Sequence, residues 1–276
     1  VSEADALLEL AVDAATMAGE RLAKRSRAGA ERSVSSKSTP TDLVSEADLE
    51  SERSIRSFLR ERRPGDGFIG EESDRTETGD SGYDWVVDPL DGTVNFIFGI
   101  PQWSVSVAVR DGRGMVAGAI FDPNRGELFC ASRDGRAELR SDGGESTLSG
   151  RERAVSATDA PAGGNPLAQA MVATGLYYDA RVREAQAKVL ERLVGRVRDI
   201  RRFGSAALDL GWTAAGRYDA YFERGVKQWD IAAGALICER AGLRVLELPE
   251  HPSLPAGILA APAHLVEELF ALVAGP

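Results

Sequence analysis

The segment Trp85 to Phe96 reads WVVDPLDGTVNF, and it is where the sequence concentrates groups able to do chemistry. An apolar run of strand type delivers two carboxylates, Asp88 and Asp91, into a turn shaped by Pro89 and Gly92. Two acids at the end of a rigid strand can serve a hard cation such as Mg2+, which takes oxygen ligands from a fixed frame. Amides from Gly92 onward could meet a phosphate if a short helix starts there, because helix N-termini present unpaired N–H groups. Taken alone, Asp and Gly after a strand are ordinary turn formers. Two more acidic places fit the same chemistry: Glu71 and Glu72 in GFIGEES, and Asp230 after Trp229, where a helix starts. Each has a plainer reading. Glu71 and Glu72 could be solvated loop charges, and Asp230 an acid favoured by a helix dipole. Asp48, with Ser45 three residues before it, has the pattern of a capping box.

The elements that must position these residues follow from periodicity. Leu8, Ala11, Ala15, Ala18 and Leu22 recur at helical spacing and predict an amphipathic helix over residues 3–26. After a polar segment, Arg27 to Thr41, a second helix is expected over 45–62, turning Leu49, Ile55, Phe58 and Leu59 inward and stopping before Pro64. Short apolar runs at 67–70 and 85–87 end in the acidic residues. From Ser104 the pattern becomes alternation, with Val105, Val107 and Val109 on one face, and predicts an antiparallel meander through 128–131 and 137–140. Ser141 to Gly164, rich in Ser, Gly, Ala and Pro, is the candidate boundary between lobes 1–150 and 151–276. Beyond it, strands near 170–174, 197–201, 218–223 and 244–247 alternate with helices near 182–194, 206–215 and 231–240, an α/β arrangement.

Composition narrows the function. The 276 residues carry 33 basic and 43 acidic side chains, a net charge of −10, which disfavours nucleic acid as a primary partner. Basic runs at 60–63 and 196–202 lack interleaved aromatics and read as solvated faces. Cys130 and Cys238 are too few and too far apart for a disulfide framework or a zinc cluster. His251 and His264 suit neither a HExxH site nor a triad, so imidazole chemistry is not expected. The start, Val1 to Asp5, is acidic and unlike a signal peptide. No apolar stretch approaches the ~20 residues that span a bilayer, and the expected location is cytoplasmic.

In order, spacing and flanking residues, the chain resembles the inositol monophosphatase family. The resemblance rests on KSTPTDLVSEAD (Lys37 to Asp48), GEES, DPLDGTVNF, GSAALDL (Gly204 to Leu210) and WDIAAG (Trp229 to Gly234). It implies an α+β and α/β fold, a layered αβαβα sandwich. It also implies a phosphatase that uses two or three Mg2+ ions, held by Glu71, Asp88, Asp91, Asp230 and the carbonyl of Leu90. In the family mechanism Thr93 and Asp48, with Glu71, activate the attacking water for in-line displacement without a phosphoenzyme. Gly92 and Thr93 meet the phosphate through backbone N–H groups. Asp91, Ser205, Ala206, Glu223 and Asp230 meet the hydroxyl-bearing part of the substrate, and Lys37 matches a motif lysine near the access loop. The resemblance further implies a homodimer and inhibition by Li+.

The expected substrate is a small phosphorylated polyol or sugar, inositol monophosphate foremost. Fructose 1,6-bisphosphate, histidinol phosphate, NADP and 3'-phosphonucleotides are alternatives that the shared motifs leave open. A haloacid-dehalogenase-type phosphatase would have a single residue between its two aspartates, whereas two residues stand between Asp88 and Asp91. From another class, some bacterial relatives serve RNA-polymerase complexes, a role that does not need catalysis. The intact acidic set favours the enzyme, because mutually repelling carboxylates have no physical use in a scaffold without a cation.

Overall fold

The computed structural model describes residues 2–28, 34–36, 43–72, 76–150 and 165–275. Helix α1 (Glu3–Arg27) starts at a capping box: the Ser2 hydroxyl accepts the Asp5 N–H at 3.1 Å, and the Asp5 carboxylate accepts the Ser2 N–H at 3.2 Å. Its buried stripe is largely alanine, Ala4, Ala11, Ala14, Ala15 and Ala18, so the helix lies close against its neighbours. Helix α2 (Glu46–Arg62) packs beside it. Strands β1 (Val34–Ser36) and β2 (Leu43–Ser45) pair antiparallel within and after the segment expected to be polar.

A seven-stranded sheet follows, in chain order: β3 (Gly67–Gly70), β4 (Asp84–Asp91), β5 (Ser104–Asp111), β6 (Gly114–Asp122), β7 (Glu127–Ser132), β8 (Glu138–Ser141) and β9 (Gly144–Thr147). The meander from β4 onward is antiparallel as expected, but β3 runs parallel to β4, so the sheet is mixed. Strand β9 lies inside the segment read as a lobe boundary, whose remainder from 151 to 164 is outside the described residues.

The second half holds a five-stranded sheet in the order β11 (Asp199–Arg201), β10 (Met171–Thr174), β12 (Ala220–Arg224), β14 (Gly257–Ala261), β13 (Arg244–Leu248). The first three are parallel, and β14 is antiparallel to both its neighbours. Helices α4 (Ala180–Val194), α5 (Ala206–Ala214) and α6 (Gln228–Arg240) fall where the pattern puts them, while β14 and α7 (Ala263–Val273) were not anticipated.

Alternation in the strands separates the core into three layers of contact. Trp85, Val87, Val105, Val107 and Val109 face α1 and α2. Val86, Ala108, Ile120 and Phe129 face the other way, against α5, α6 and the inner side of the second sheet at Ala173, Tyr221 and Ala260. The outer side of that sheet, at Val172, Phe222 and Leu259, packs on α4 and α7. The order is therefore helix pair, sheet, helix pair, sheet, helix pair, the αβαβα sandwich. Each fully buried Val, Leu or Phe contributes roughly 1.5–3 kcal/mol.

One expectation for α2 fails. Leu49 is 43% exposed, and Phe58 only partly buried, because the inward face carries Ala47, Asp48, Ser51, Glu52, Ile55 and Leu59.

Candidate active site

The strand β4 is buried along almost its whole length, and its ladder with β5 becomes irregular between Asp88 and Asp91. Pro89 has no N–H to give the ladder, and the Leu90 N–H turns back to the Asp88 carboxylate at 3.0 Å. Gly92 then adopts a left-handed conformation (φ 94°, ψ 34°) and caps α3 (Thr93–Ile97). A Cβ there would stand 2.9 Å from the Gln102 carbonyl, so both space and conformation demand glycine.

Asp91 reaches across to the second half of the chain. Its carboxylate accepts the Ser205 hydroxyl and the N–H groups of Ala206 at 3.2 Å and Ala207 at 2.9 Å, at the start of α5. Burial pushes its pKa up to about 6, against the pull of those donors. Asp88 is 2% exposed, and its carboxyl is raised well above the ordinary range by burial and then by the charges of Glu71, Asp91 and Asp230.

Asp230 occupies the first turn of α6 and accepts the Lys227 N–H at 2.6 Å. Although partly exposed by surface area, its carboxyl is also driven well up, first by desolvation and then by Glu71. Glu71 follows β3, and its N–H extends the parallel ladder to the Val87 carbonyl at 3.1 Å. Glu223, on β12, accepts the Tyr221 hydroxyl at 2.7 Å, and burial lifts its pKa to about 7.

Behind the cleft, Thr93 and Asp48 form a pair. The Thr93 hydroxyl lies 2.7 Å from Asp48 Oδ1 and 3.0 Å from the Leu90 carbonyl, both acceptors. Asp48 is fully buried, and its Oδ2 accepts the Ser45 N–H at 2.8 Å and the Ser45 hydroxyl at 2.6 Å. The capping geometry and the site geometry are thus one arrangement. With its hydrogen committed inward, the Thr93 oxygen keeps acceptor capacity for a water on the cleft side.

A cleft of about 320 Å³ brings these groups together: Glu71, Asp88, Asp91, Glu223 and Asp230 line it with Leu90, Gly92, Thr93 and Ala206. Ser205 stands just behind, on Asp91. Lys37 lies outside the described residues. Arg202, Lys227, Tyr177 and Tyr178 also line the cleft and were not predicted as site residues. Asn95 was missed as well. Its side-chain amide donates to the carbonyls of Gln102 and Phe203, both at 2.7 Å, tying α3 to the approach to α5. A larger hollow of about 510 Å³ between α1 and α2, lined by Arg21, Arg25, Arg53 and Ser54, contains none of the acidic set.

The ligating atoms of the acidic set are all oxygen, which suits a hard divalent cation. Asp88, buried among three other acids, ionises at low cost only if positive charge stands beside it. Among the described residues no three acidic, histidine or cysteine side chains form a ready-made cage. Glu71, Asp88, Asp91 and Asp230 line one cleft, where the charges of the others raise the Asp88 pKa.

Comparison with known proteins agrees in sequence and in fold. The model of the inositol monophosphatase family matches residues 3–273. Inositol-1-monophosphatase SuhB of Mycobacterium tuberculosis is 42% identical over 252 residues, covering 89% of this chain and 83% of that protein. Nus factor SuhB of Pasteurella multocida is 38% identical over 266 residues, covering 95% and 94%. The crystal structure of extragenic suppressor protein suhB from Bartonella henselae superposes with a TM-score of 0.82 at 33% identity, covering 97% of this chain and 98% of that one. With the family model spanning nearly every residue and the acidic cleft in the same fold, this chain belongs to the inositol monophosphatase family of phosphatases.

Proposed function

We propose that the chain hydrolyses a small phosphate monoester, inositol monophosphate foremost, with Mg2+ as cofactor. The observation that carries this reading is the gathering of Glu71, Asp88, Asp91 and Asp230 on one cleft, directly in front of the Thr93–Asp48 pair. Residues 1–150 supply Asp48, Glu71, Asp88, Asp91 and Thr93. Residues 151–276 supply Asp230, Ser205, Ala206 and Glu223.

Glu71, Asp88, Asp91, Asp230 and the Leu90 carbonyl would hold Mg2+. Bound there, the metal neutralises the phosphate, acidifies water and steadies the departing alkoxide. The protein's own groups do the rest. Thr93 accepts a hydrogen from the attacking water while its own hydroxyl proton leans on Asp48. The water oxygen forms its bond to phosphorus as the ester P–O bond breaks, and its proton passes through the Thr93 hydroxyl to Asp48. The leaving oxygen takes a proton from a solvent water and departs as the alcohol, and the proton on Asp48 neutralises the hydroxide so formed. Glu223, held by Tyr221, accepts hydrogen bonds from substrate hydroxyls, which suits a polyol.

The names of the relatives support inositol 1-phosphate as the leading substrate. Lithium inhibition and a homodimer are expected with this reading. Among the described residues no helix is long and apolar enough to cross a membrane. A panel of inositol 1-phosphate, fructose 1,6-bisphosphate, histidinol phosphate, NADP and 3'-phosphoadenosine 5'-phosphate, assayed with and without Mg2+, tests the proposal. We expect Mg2+-dependent turnover with inositol 1-phosphate leading in kcat/KM. Another leading ester would overturn the substrate, and no Mg2+-dependent turnover of any would overturn the reaction.

A further inference from the structure

Four residues beyond Asp48 on α2, one turn along the same face, stands Glu52, a carboxylate that is 4% exposed. It belongs to none of the motifs that mark the cleft. Its Oε2 accepts the backbone N–H of Glu72 at 2.8 Å, and its Oε1 pairs with the Arg56 guanidinium at 2.7 Å. Arg56, four residues further on, also bonds Glu77 at 3.1 Å, and Glu77 bridges back to Phe68 of β3.

Glu52 is therefore fastened to the chain immediately after β3. Three consecutive residues are fixed there by different means. Gly70 lies flat under the Glu52 carboxylate: a Cβ at this position would come 2.2 Å from Oε2 and 2.6 Å from the carboxyl carbon. The Glu71 N–H is tied to the Val87 carbonyl, next to Asp88. The Glu72 N–H is tied to Glu52. Glu71 itself lies between these anchors, just past the end of β3, on the cleft. Burying a carboxylate is costly unless it is paired and hydrogen-bonded, and a plain apolar residue would fill this helix face with less penalty. What the carboxylate provides that an apolar residue cannot is a grip on a backbone N–H beside a cleft residue.

We propose that Glu52 is a positioning residue for Glu71, holding the turn after β3 so that the Glu71 carboxylate faces the cation. Because Asp48 and Glu52 share one helix face, α2 sets two parts of the cleft from a single rigid element: the Thr93 pair through Asp48 and the Glu71 turn through Glu52. This inference rests on the metal reading above, and its test separates the two.

Mg2+ binding to Glu52→Ala and Glu52→Gln is measured by calorimetry, beside activity against Mg2+ concentration and a thermal melt without metal. Glu52→Ala loses the grip and is expected to bind Mg2+ at least tenfold more weakly, while turnover at saturating Mg2+ stays within about threefold of wild type. Glu52→Gln keeps an oxygen for the Glu72 N–H and should recover most of the affinity. Wild-type Mg2+ affinity in a folded Glu52→Ala protein overturns the proposal, as does a loss that Glu52→Gln does not repair. Should Glu52→Ala not fold, Gly70→Ala, which pushes the carboxylate off the turn, must show the same weakened binding. Wild-type affinity in Gly70→Ala, or failure of both variants to fold, counts against a positioning role. If the wild-type protein itself neither binds Mg2+ nor turns over phosphate esters, the metal reading fails first, and that result is distinct from all of these.

Discussion

Asp88 and Asp91, three residues apart in the chain, face the same side of β4 because their partners on β5, Ser106 and Ser104, are only two apart. In a regular strand residues three apart point to opposite faces. The extra residue at Pro89–Leu90 cancels that half-turn, as a β-bulge does, and puts both carboxylates on the cleft. The irregularity is what brings two carboxylates of a buried strand onto one cleft.

Replacing Asp88 by Asn keeps the shape and removes the charge. Hydrolysis in Mg2+ should fall by ~10²–10³-fold, the scale of losing one preorganised charge-stabilising group. The metal-free variant should melt no lower than wild type at pH 7.5, since one repelling charge is gone from a buried set. Paired steady-state kinetics and calorimetric melts check both statements, and retained hydrolysis would refute the role of Asp88.

Thr93→Val removes the hydroxyl at nearly constant volume and takes the Thr93 hydrogen bond from Asp48 Oδ1. We expect kcat to drop by ~10²–10⁴-fold with KM little changed, the range for a lost proton-transfer group. Stability should fall by ~1.5–3 kcal/mol, the contribution of a hydrogen bond to a charged group. Thr93→Ser should restore most of both, and urea unfolding beside kinetics reads the two effects separately.

The raised carboxyls make a prediction about pH. Asp91, lifted by burial to about 6, and Glu223, lifted by burial to about 7, bind protons more tightly folded than unfolded. Between the ordinary carboxylate range and those values the native state holds more protons than the unfolded chain, so stability from these groups declines as pH rises. The metal-free protein should therefore lose stability from pH 4.5 to 7.5 through this set. Asp111, held below its usual range by Arg133, acts oppositely but only at lower pH. Mg2+ should raise Tm more at pH 7.5 than at pH 5, where protons compete for the same oxygens. Melts with EDTA or Mg2+ at both pH values test this, and an equal or larger shift at pH 5 would contradict it.

Cys130 and Cys238 are buried, and burial raises both thiols, Cys130 to about 12. Neither should react with a disulfide reagent within minutes in the native state at pH 8, and denaturation should release both. Rapid labelling of either native thiol would contradict the packing described.

Much of this architecture is legible in the residue pattern because strands here alternate and helices are amphipathic. The Val105, Val107, Val109 alternation marks the meander, and Glu71 and Asp230 fall at element ends, but β4 runs on through Asp88 to Asp91 instead of stopping at Val87. The inward face of α2 was misjudged for a physical reason. It carries Asp48, Ser51 and Glu52, which bond Thr93, the Pro89 carbonyl and the Glu72 N–H, so apolar residues do not mark it and Leu49 lies outside it. GILAA at 257–261 is too short to declare itself a strand. Pairs far apart in the chain, such as Asp91 with Ser205 and Asn95 with Phe203, leave no local signal. Motif order could place the acids but not the donors that orient them.

Anomalous scattering from crystals grown with Mn2+ and inorganic phosphate tests the central claim most directly. Ions held among Glu71, Asp88, Asp91 and Asp230, with the phosphate against Gly92 and Thr93, are the expected result. Ions bound elsewhere, or a phosphate in the cleft with no metal beside those four carboxylates in catalytically active crystals, would contradict it.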